Sequence, residues 1–215
     1  MRIGIIGAGR MGSALGEIYA DCGHDIIFSY ARTDAKLETV TQAAGRKARW
    51  STPDDAARNC DLVILAVHWM RVEDALACAG DLSGKTVMSC CMPLDETDSE
   101  LVIAHTDSGA EALARMLPHA HIVAAFQTIP SESLRPVYLG RQRVDRPSVV
   151  FCGDNGAGKQ LVAQLISEAG FSPVDAGSLE MARYIEPFSM LGAELAYETP
   201  MGPEWVYRFS RLDRQ

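Results

Sequence analysis

Apolar residues fall into short blocks separated by polar or glycine-containing turns. Residues 2–6 form a β-branched apolar run and predict a buried strand. Similar blocks at 26–28, 47–50, 62–67, 86–89, 121–126, 148–152 and 171–174 predict further strands. The run at 62–67 is apolar throughout, the mark of a parallel strand covered on both faces. Helical patterns fall between the blocks, at 72–79, 110–117 and 156–169, with another helix start at 51–55, where Pro53 sits beside two acids. The longest helical stretch, 179–197, contains Pro187, which should kink or split it. This alternation predicts an α/β fold: a Rossmann-type, doubly wound, mainly parallel sheet in one domain over 1–215, with a small helical C-terminal portion from about 178 to 215. Residues 95–107 read as loop, and 131–146 as a surface excursion.

Composition narrows the picture. Hydrophobic residues are 47% and charged residues 22%, ordinary for a globular domain. The net charge of −8 argues against nucleic-acid or anionic-membrane partners. No apolar run approaches the ~18 residues of a membrane span, and the first residues already read as core strand, so neither a membrane anchor nor a signal peptide is expected and the location is read as cytoplasmic. The six cysteines lack metal spacing and are expected to be reduced, buried thiols, with no metal site. Arg135, Arg141, Arg143 and Arg146 could meet an acidic substrate tail or form a solvated loop. Trp205, Tyr207 and Phe209 suit core or dimer contacts.

The chemistry concentrates after the first strand. Gly7, Ala8, Gly9, Arg10, Met11 and Gly12 spell G-x-G-x-x-G between a strand and a helix, the context that makes this motif a dinucleotide fingerprint. Gly7 serves the tight turn, Gly9 the approach of a pyrophosphate, and Gly12 the contact of helix with strand. Free N–H groups at the helix start suit phosphate. The second strand ends in Ser29, Tyr30, Ala31, Arg32 and Thr33, with no acid before Asp34. An acid there would favour NAD, whereas Arg32 can pair with a 2′-phosphate, with help from Lys36 and the hydroxyls of Ser29 and Thr33. NADP(H) is therefore expected, although Arg32 could also be a plain solvated charge. His68, at the end of the 62–67 block, reads either as an acid–base group or as a packing or capping residue.

Several stretches together resemble the NADP oxidoreductases that use the deazaflavin coenzyme F-420: IGIIGAGRMGSALG, GHDIIFSYAR, LVILAVHW, FQTIP, VVFCGDN and PVDAGSLEMARYIEP. A stretch similar to the last occurs in the cytosolic domain of STEAP-type metalloreductases, which share the fold. The resemblance implies NADPH on Gly7 to Gly12, with Tyr30, Ala31 and Arg32 at its 2′-phosphate. It implies Ala66, Val67, His68 and Trp69 along its middle and Pro93 beside the nicotinamide. A small-molecule electron acceptor (a deazaflavin, a flavin or a ferric chelate) would stack near Gln127, Thr128, Ile129 and Met201. Two departures fall near this centre. Gln127 stands where the archaeal enzymes have His, and Met92-Pro93-Leu94 replaces Asn-Pro-Leu.

The implied reaction is direct hydride transfer, which needs orientation rather than a catalytic acid or base. Gln127 or Thr128 could hydrogen-bond the acceptor ring and stabilise its developing anion. The first strand and glycine motif also resemble pyrroline-5-carboxylate reductase, an imine reductase. A non-catalytic NADPH-binding redox sensor is the other alternative. A homodimer through the C-terminal helices is expected.

Overall fold

Eight strands form one sheet in a computed structural model that describes residues 1–212. They are β1 (Arg2–Ile6), β2 (Asp25–Ser29), β3 (Ala48–Trp50), β4 (Leu62–Leu65), β5 (Thr86–Ser89), β6 (His121–Ala125), β7 (Ser148–Gly153) and β8 (Ser172–Asp175). Their order is β3-β2-β1-β4-β5-β6-β7-β8. All neighbours are parallel except β6 and β7, which run antiparallel, so the fold is the doubly wound Rossmann type with one reversed pair. The helices are α1 (Arg10–Asp21), α2 (Asp34–Ala44), α3 (Pro53–Arg58), α4 (Val72–Ala79), α5 (Gly109–Met116), α6 (Ser131–Leu139), α7 (Gly156–Glu168) and α8 (Ala182–Ala193). Among the described residues no helix is long and apolar enough to cross a membrane.

The period of two along each strand sorts the apolar side chains into two cores. Ile3 and Ile5 face one core, with Leu15 and Ile18 of α1, Leu134 of α6 and Val162 of α7. Ile6 faces the other, with Val72 and Ala75 of α4, Leu113 of α5 and Ile185 of α8. Each fully buried aliphatic side chain contributes roughly 1.5–3 kcal/mol, so covering both faces is what holds the strand ends in place.

The region 131–146 is not merely a surface excursion, because its first nine residues form α6. Leu134 and Tyr138, four apart, are buried on its inner face, and Pro136 is accommodated within it. The arginines there are largely engaged. Arg135 pairs with Asp21 at 2.6 Å, Arg141 lies 4.2 Å from the Tyr138 ring centroid, and Arg143 pairs with Asp145. Pro187 does not end α8 either; the helix runs through it and finishes in a π turn, Glu194–Glu198. From 199 to 212 the chain is not helical but crosses back as a strap. Tyr207 accepts the Ser148 N–H at 2.8 Å, and Trp205 Nε1 donates to the Gly192 carbonyl at 3.1 Å. The final residues of the expected helical portion, 213–215, lie outside the described residues. All six cysteines are free, and Cys78 is exposed rather than buried.

Candidate functional site

The parallel strands β1, β2, β4, β5 and β6 end on one edge of the sheet, and two clefts open along it. The ladder continues past the strand ends and fixes the floor. Gly7 N–H donates to Ser29 O at 2.9 Å, Ala8 N–H to Tyr30 O at 3.1 Å, Ala66 N–H to Ile6 O at 2.9 Å and Cys90 N–H to Leu65 O at 2.9 Å.

The larger cleft, about 640 Å³, is lined by Gly7, Ala8, Gly9, Tyr30, Ala31, Arg32, Ala66, Val67 and His68, with Lys36 and Arg71. Gly7 has φ +113°, and a Cβ there would overlap the Ala66 carbonyl. A Cβ at Gly12 would overlap the Gly7 carbonyl, so this glycine sets the contact of α1 with the turn. A Cβ at Gly9 would meet nothing within 4 Å: the space over this residue is open. No side chain caps α1, and its first turn-closing bond is Ser13 N–H to Gly9 O at 2.9 Å. The amides of Arg10, Met11 and Gly12 thus lack intrahelical partners. Open space over bare amides, flanked by Arg32 and Lys36, both unpaired among the described residues, fits the diphosphate and 2′-phosphate of NADP(H).

Several expected contacts fall elsewhere. Ser29 is fully buried and its hydroxyl donates to Ile5 O at 3.0 Å, so it is spent within the sheet. Thr33 caps α2 by accepting the Lys36 N–H. The Arg10 side chain reaches across to Glu132 at 3.1 Å, and Met11 lines the smaller cleft. His68 behaves as a capping residue. Its Nδ1 accepts the Met70 N–H at 3.3 Å and its Nε2 pairs with Asp98 at 2.7 Å, which ties the 95–107 loop to the cleft edge.

The smaller cleft, about 380 Å³, shares Gly9, Ala66, Val67 and His68 with the larger one, so the two form one channel. Its far wall is Phe126, Gln127, Thr128 and Ile129. Phe126 holds φ +67°, costly for a bulky residue, and is locked by full burial and an edge-on contact with Phe171 at 5.9 Å. This bend turns Gln127 into the cleft. Gln127 Nε2 donates to Cys91 O at 3.4 Å, while its Oε1 is buried without a partner. Its spare atom is therefore an acceptor, unsuited to stabilising an anion. Thr128 Oγ1 is bonded to the Tyr207 hydroxyl at 2.6 Å.

Pro93 does not face the channel. It is buried against Gly109 at the start of α5, and its extended neighbours Met92 and Leu94 line the cleft instead. Met201 is 61% exposed and stands outside the lining. The places on that side belong to Ser189, Met190, Gly192 and Ala193 of α8, with Tyr197. Tyr197 donates to Glu132 at 3.1 Å. Burial favours the neutral form of Glu132, but its own amide, Ser131, Tyr197 and Arg10 outweigh this and hold its carboxyl below the usual range.

Sequence reasoning missed this wall and the residue that docks it. Glu186 of α8 is 1% exposed. Its carboxylate accepts Gly109 N–H at 2.8 Å and Ala110 N–H at 3.0 Å, capping α5 from 77 residues away. Burial, aided by Glu111 and Asp107, lifts its carboxyl to about 7 against the pull of the two amides. The signal was a carboxylate in the buried phase of α8, between Ala182, Ile185 and Ser189.

Fold and channel define the class: an α/β protein of the Rossmann type with a channel along the carboxyl edge of its parallel strands. Comparison with known proteins adds likenesses. Residues 2–93, which carry the glycine turn and β1 to β5, match the family described as NADP oxidoreductase, coenzyme F420-dependent. The chain is 26% identical over 188 residues to metalloreductase STEAP3 of Rattus norvegicus, covering 86% of this chain and 36% of that protein. It thus spans about a third of the length of the curated relatives it matches. A putative F420-dependent NADP reductase from Arthrobacter sp. FB24 superposes with a TM-score of 0.85 at 24% identity, over 97% of this chain and 99% of that one. A reductive aminase from Aspergillus terreus, solved with NADPH, shares the fold with a TM-score of 0.62 at 19% identity, over 89% of this chain and 60% of that one.

Proposed function

We propose that the protein is an NADPH-dependent oxidoreductase that transfers hydride to a planar deazaflavin or flavin-like acceptor. The observation that carries this reading is the continuity of the two clefts, with the orphaned Gln127 Oε1 at the far wall. In this reading Gly9 and the bare amides of α1 hold the diphosphate, while Arg32 and Lys36 hold the 2′-phosphate. NADPH, when bound, supplies the hydride. Ile129, Met190 and Phe126 exclude water from the smaller cleft, and Gly192 lets the Trp205 ring pack against α8 behind that wall. Gln127 Oε1 accepts a hydrogen bond from a ring imide N–H, which orients the acceptor. Direct hydride transfer does not require a protein acid or base, and His68 is engaged by Met70 and Asp98 at the cleft edge. The STEAP relatives, metalloreductases by name, make a ferric chelate the second acceptor to try. The scaffold shared with the reductive aminase keeps imine reduction as a third.

The test is NADPH oxidation at 340 nm by the purified protein with the deazaflavin, FMN, a ferric chelate and a cyclic imine in turn, and with NADH as control. Turnover with the deazaflavin or FMN supports the reading, and Gln127→Ala should then raise acceptor KM about tenfold by removing one buried hydrogen bond. Turnover with iron or imine alone overturns the acceptor assignment. NADPH binding without any turnover turns the reading into a redox sensor.

We further propose a cytoplasmic homodimer through α8. Its Tyr184 and Leu191, seven residues apart, are 65% and 56% exposed and suit a second copy of the chain. Sedimentation of wild type against Leu191→Glu tests the dimer, which the charge should dissociate.

A further inference from the structure

The larger cleft carries a side-chain triangle to which the phosphate contacts give no task. Arg71 Nε donates to the Tyr30 hydroxyl oxygen at 3.0 Å, and Arg71 Nη2 donates to Asp74 Oδ2 at 2.8 Å. The Tyr30 hydroxyl donates to the same Asp74 oxygen. The guanidinium carbon stands 5.8 Å from the Tyr30 ring centroid. Tyr30 itself is pinned: its φ is +58°, and its carbonyl accepts the Ala8 N–H at the edge of the sheet. The triangle is therefore preset from the backbone outward. Arg71 Nη1 makes no hydrogen bond among the described residues.

Charge decides what such a triangle recognises. Arg71 and Asp74 together are neutral, and a phosphate arriving at Arg71 would meet the Asp74 carboxylate. Arg32 and Lys36, which line the cleft from the β2–α2 side, have no ion pair among the described residues. They keep their full charge for an anion. A flat guanidinium fixed by hydrogen bonds suits instead the π face of a heteroaromatic base.

Resting on the dinucleotide reading above, we propose that Tyr30, Arg71 and Asp74 form a platform for the purine base of the cofactor. Arg71 grips the base by stacking and takes no part in choosing between cofactors with and without the 2′-phosphate. That choice belongs to Arg32 and Lys36.

The experiment is fluorescence titration of NADPH, NADH and reduced nicotinamide mononucleotide, which lacks the purine, on wild type, Arg71→Ala and Asp74→Asn. The Arg71 and Asp74 side chains are 62% and 56% exposed, so neither variant empties a core position. Arg71→Ala should weaken NADPH and NADH by the same factor, about tenfold, leaving their ratio and the mononucleotide unchanged. Asp74→Asn should weaken both dinucleotides equally and by less. A fall in the NADPH-to-NADH preference in Arg71→Ala, or a rise in Asp74→Asn, would make Arg71 a phosphate clamp and overturn the platform. Unchanged affinities in Arg71→Ala would remove it from the site. Wild-type protein that binds neither dinucleotide would sink the dinucleotide reading itself, whereas intact wild-type binding with an indifferent Arg71→Ala sinks the platform alone.

Discussion

The cleft over the glycine turn is built from main chain, whereas the cleft beside Gln127 is built from side chains drawn from distant parts of the sequence. The first has as its floor ladder bonds among Gly7, Ala8, Ser29, Tyr30, Ala66 and Ile6. The second needs the left-handed Phe126, the α8 residues held by Glu186 and the strap at Tyr207. Main-chain geometry tolerates side-chain change except where a Cβ itself collides. A wall of side chains depends on every anchor behind it. Mutation should therefore divide the molecule into a half that fails sharply at single glycines and a half that loosens by degrees.

Gly7→Ala is the most severe way to test this. It places a Cβ against the Ala66 carbonyl at φ +113°. It should destabilise the fold by roughly 3 kcal/mol, lower the melting temperature by about 6–12 °C and abolish NADPH binding. A variant that melts and binds like wild type would break the comparison at its firmest point.

Glu186→Ala comes next, because it removes the carboxylate that both the Gly109 and Ala110 amides meet in the interior. A loss of roughly 2–4 kcal/mol in denaturant titration is expected, with NADPH affinity retained and acceptor KM raised. The same residue gives a pH signature. Its carboxyl is lifted from 4.5 to about 7 by burial, so the folded protein holds this proton more tightly than the unfolded chain does. The stability it contributes is complete below about pH 4.5 and declines as pH rises through 7. The lowered carboxylates, Asp61 and Asp107 among them, act in the opposite sense and only at lower pH. Stability should fall between roughly pH 5 and 8, and Glu186→Gln should flatten that slope.

Arg32→Ala probes the half built on main chain without disturbing it. The preference for NADPH over NADH should drop about tenfold or more through loss of a charge-assisted contact, with NADH affinity unchanged. Tyr207→Phe is the mildest test. It removes the hydroxyl that meets Thr128 Oγ1 and the Val150 N–H, at a cost of about 1 kcal/mol, and should raise acceptor KM a few-fold without touching NADPH affinity.

The same division explains what the sequence could disclose. The glycine turn, the strands around it and the acid-free tip after β2 were legible because their determinants lie within a few residues of one another. Pro93 was expected beside the nicotinamide, yet alternation along extended chain puts Met92 and Leu94 on the lining and Pro93 beneath α5. Ser29 ends a buried strand, so its hydroxyl closes on Ile5 rather than on a ligand. Met201 lost its expected place to Met190 and Tyr197, because the chain leaves α8 by a π turn and crosses away as the strap. The α6 helix was obscured by its Pro, Gly and Arg content, which outweighs the single buried pair Leu134 and Tyr138 in a linear reading. Apart from the alternation at Pro93, these outcomes are decided by packing between residues far apart in the chain.

The strap has a consequence for the order in which the protein acquires its parts. Domains emerge from the ribosome N-terminus first. The elements that match the NADP oxidoreductase family are finished at residue 93, while the far wall waits for α8 and for Tyr207 to reach Ser148 and Thr128. A nascent chain therefore completes the glycine-turn cleft more than a hundred residues before the wall beside Gln127 can close. On the function proposed above, reducing power would be the last property it gains.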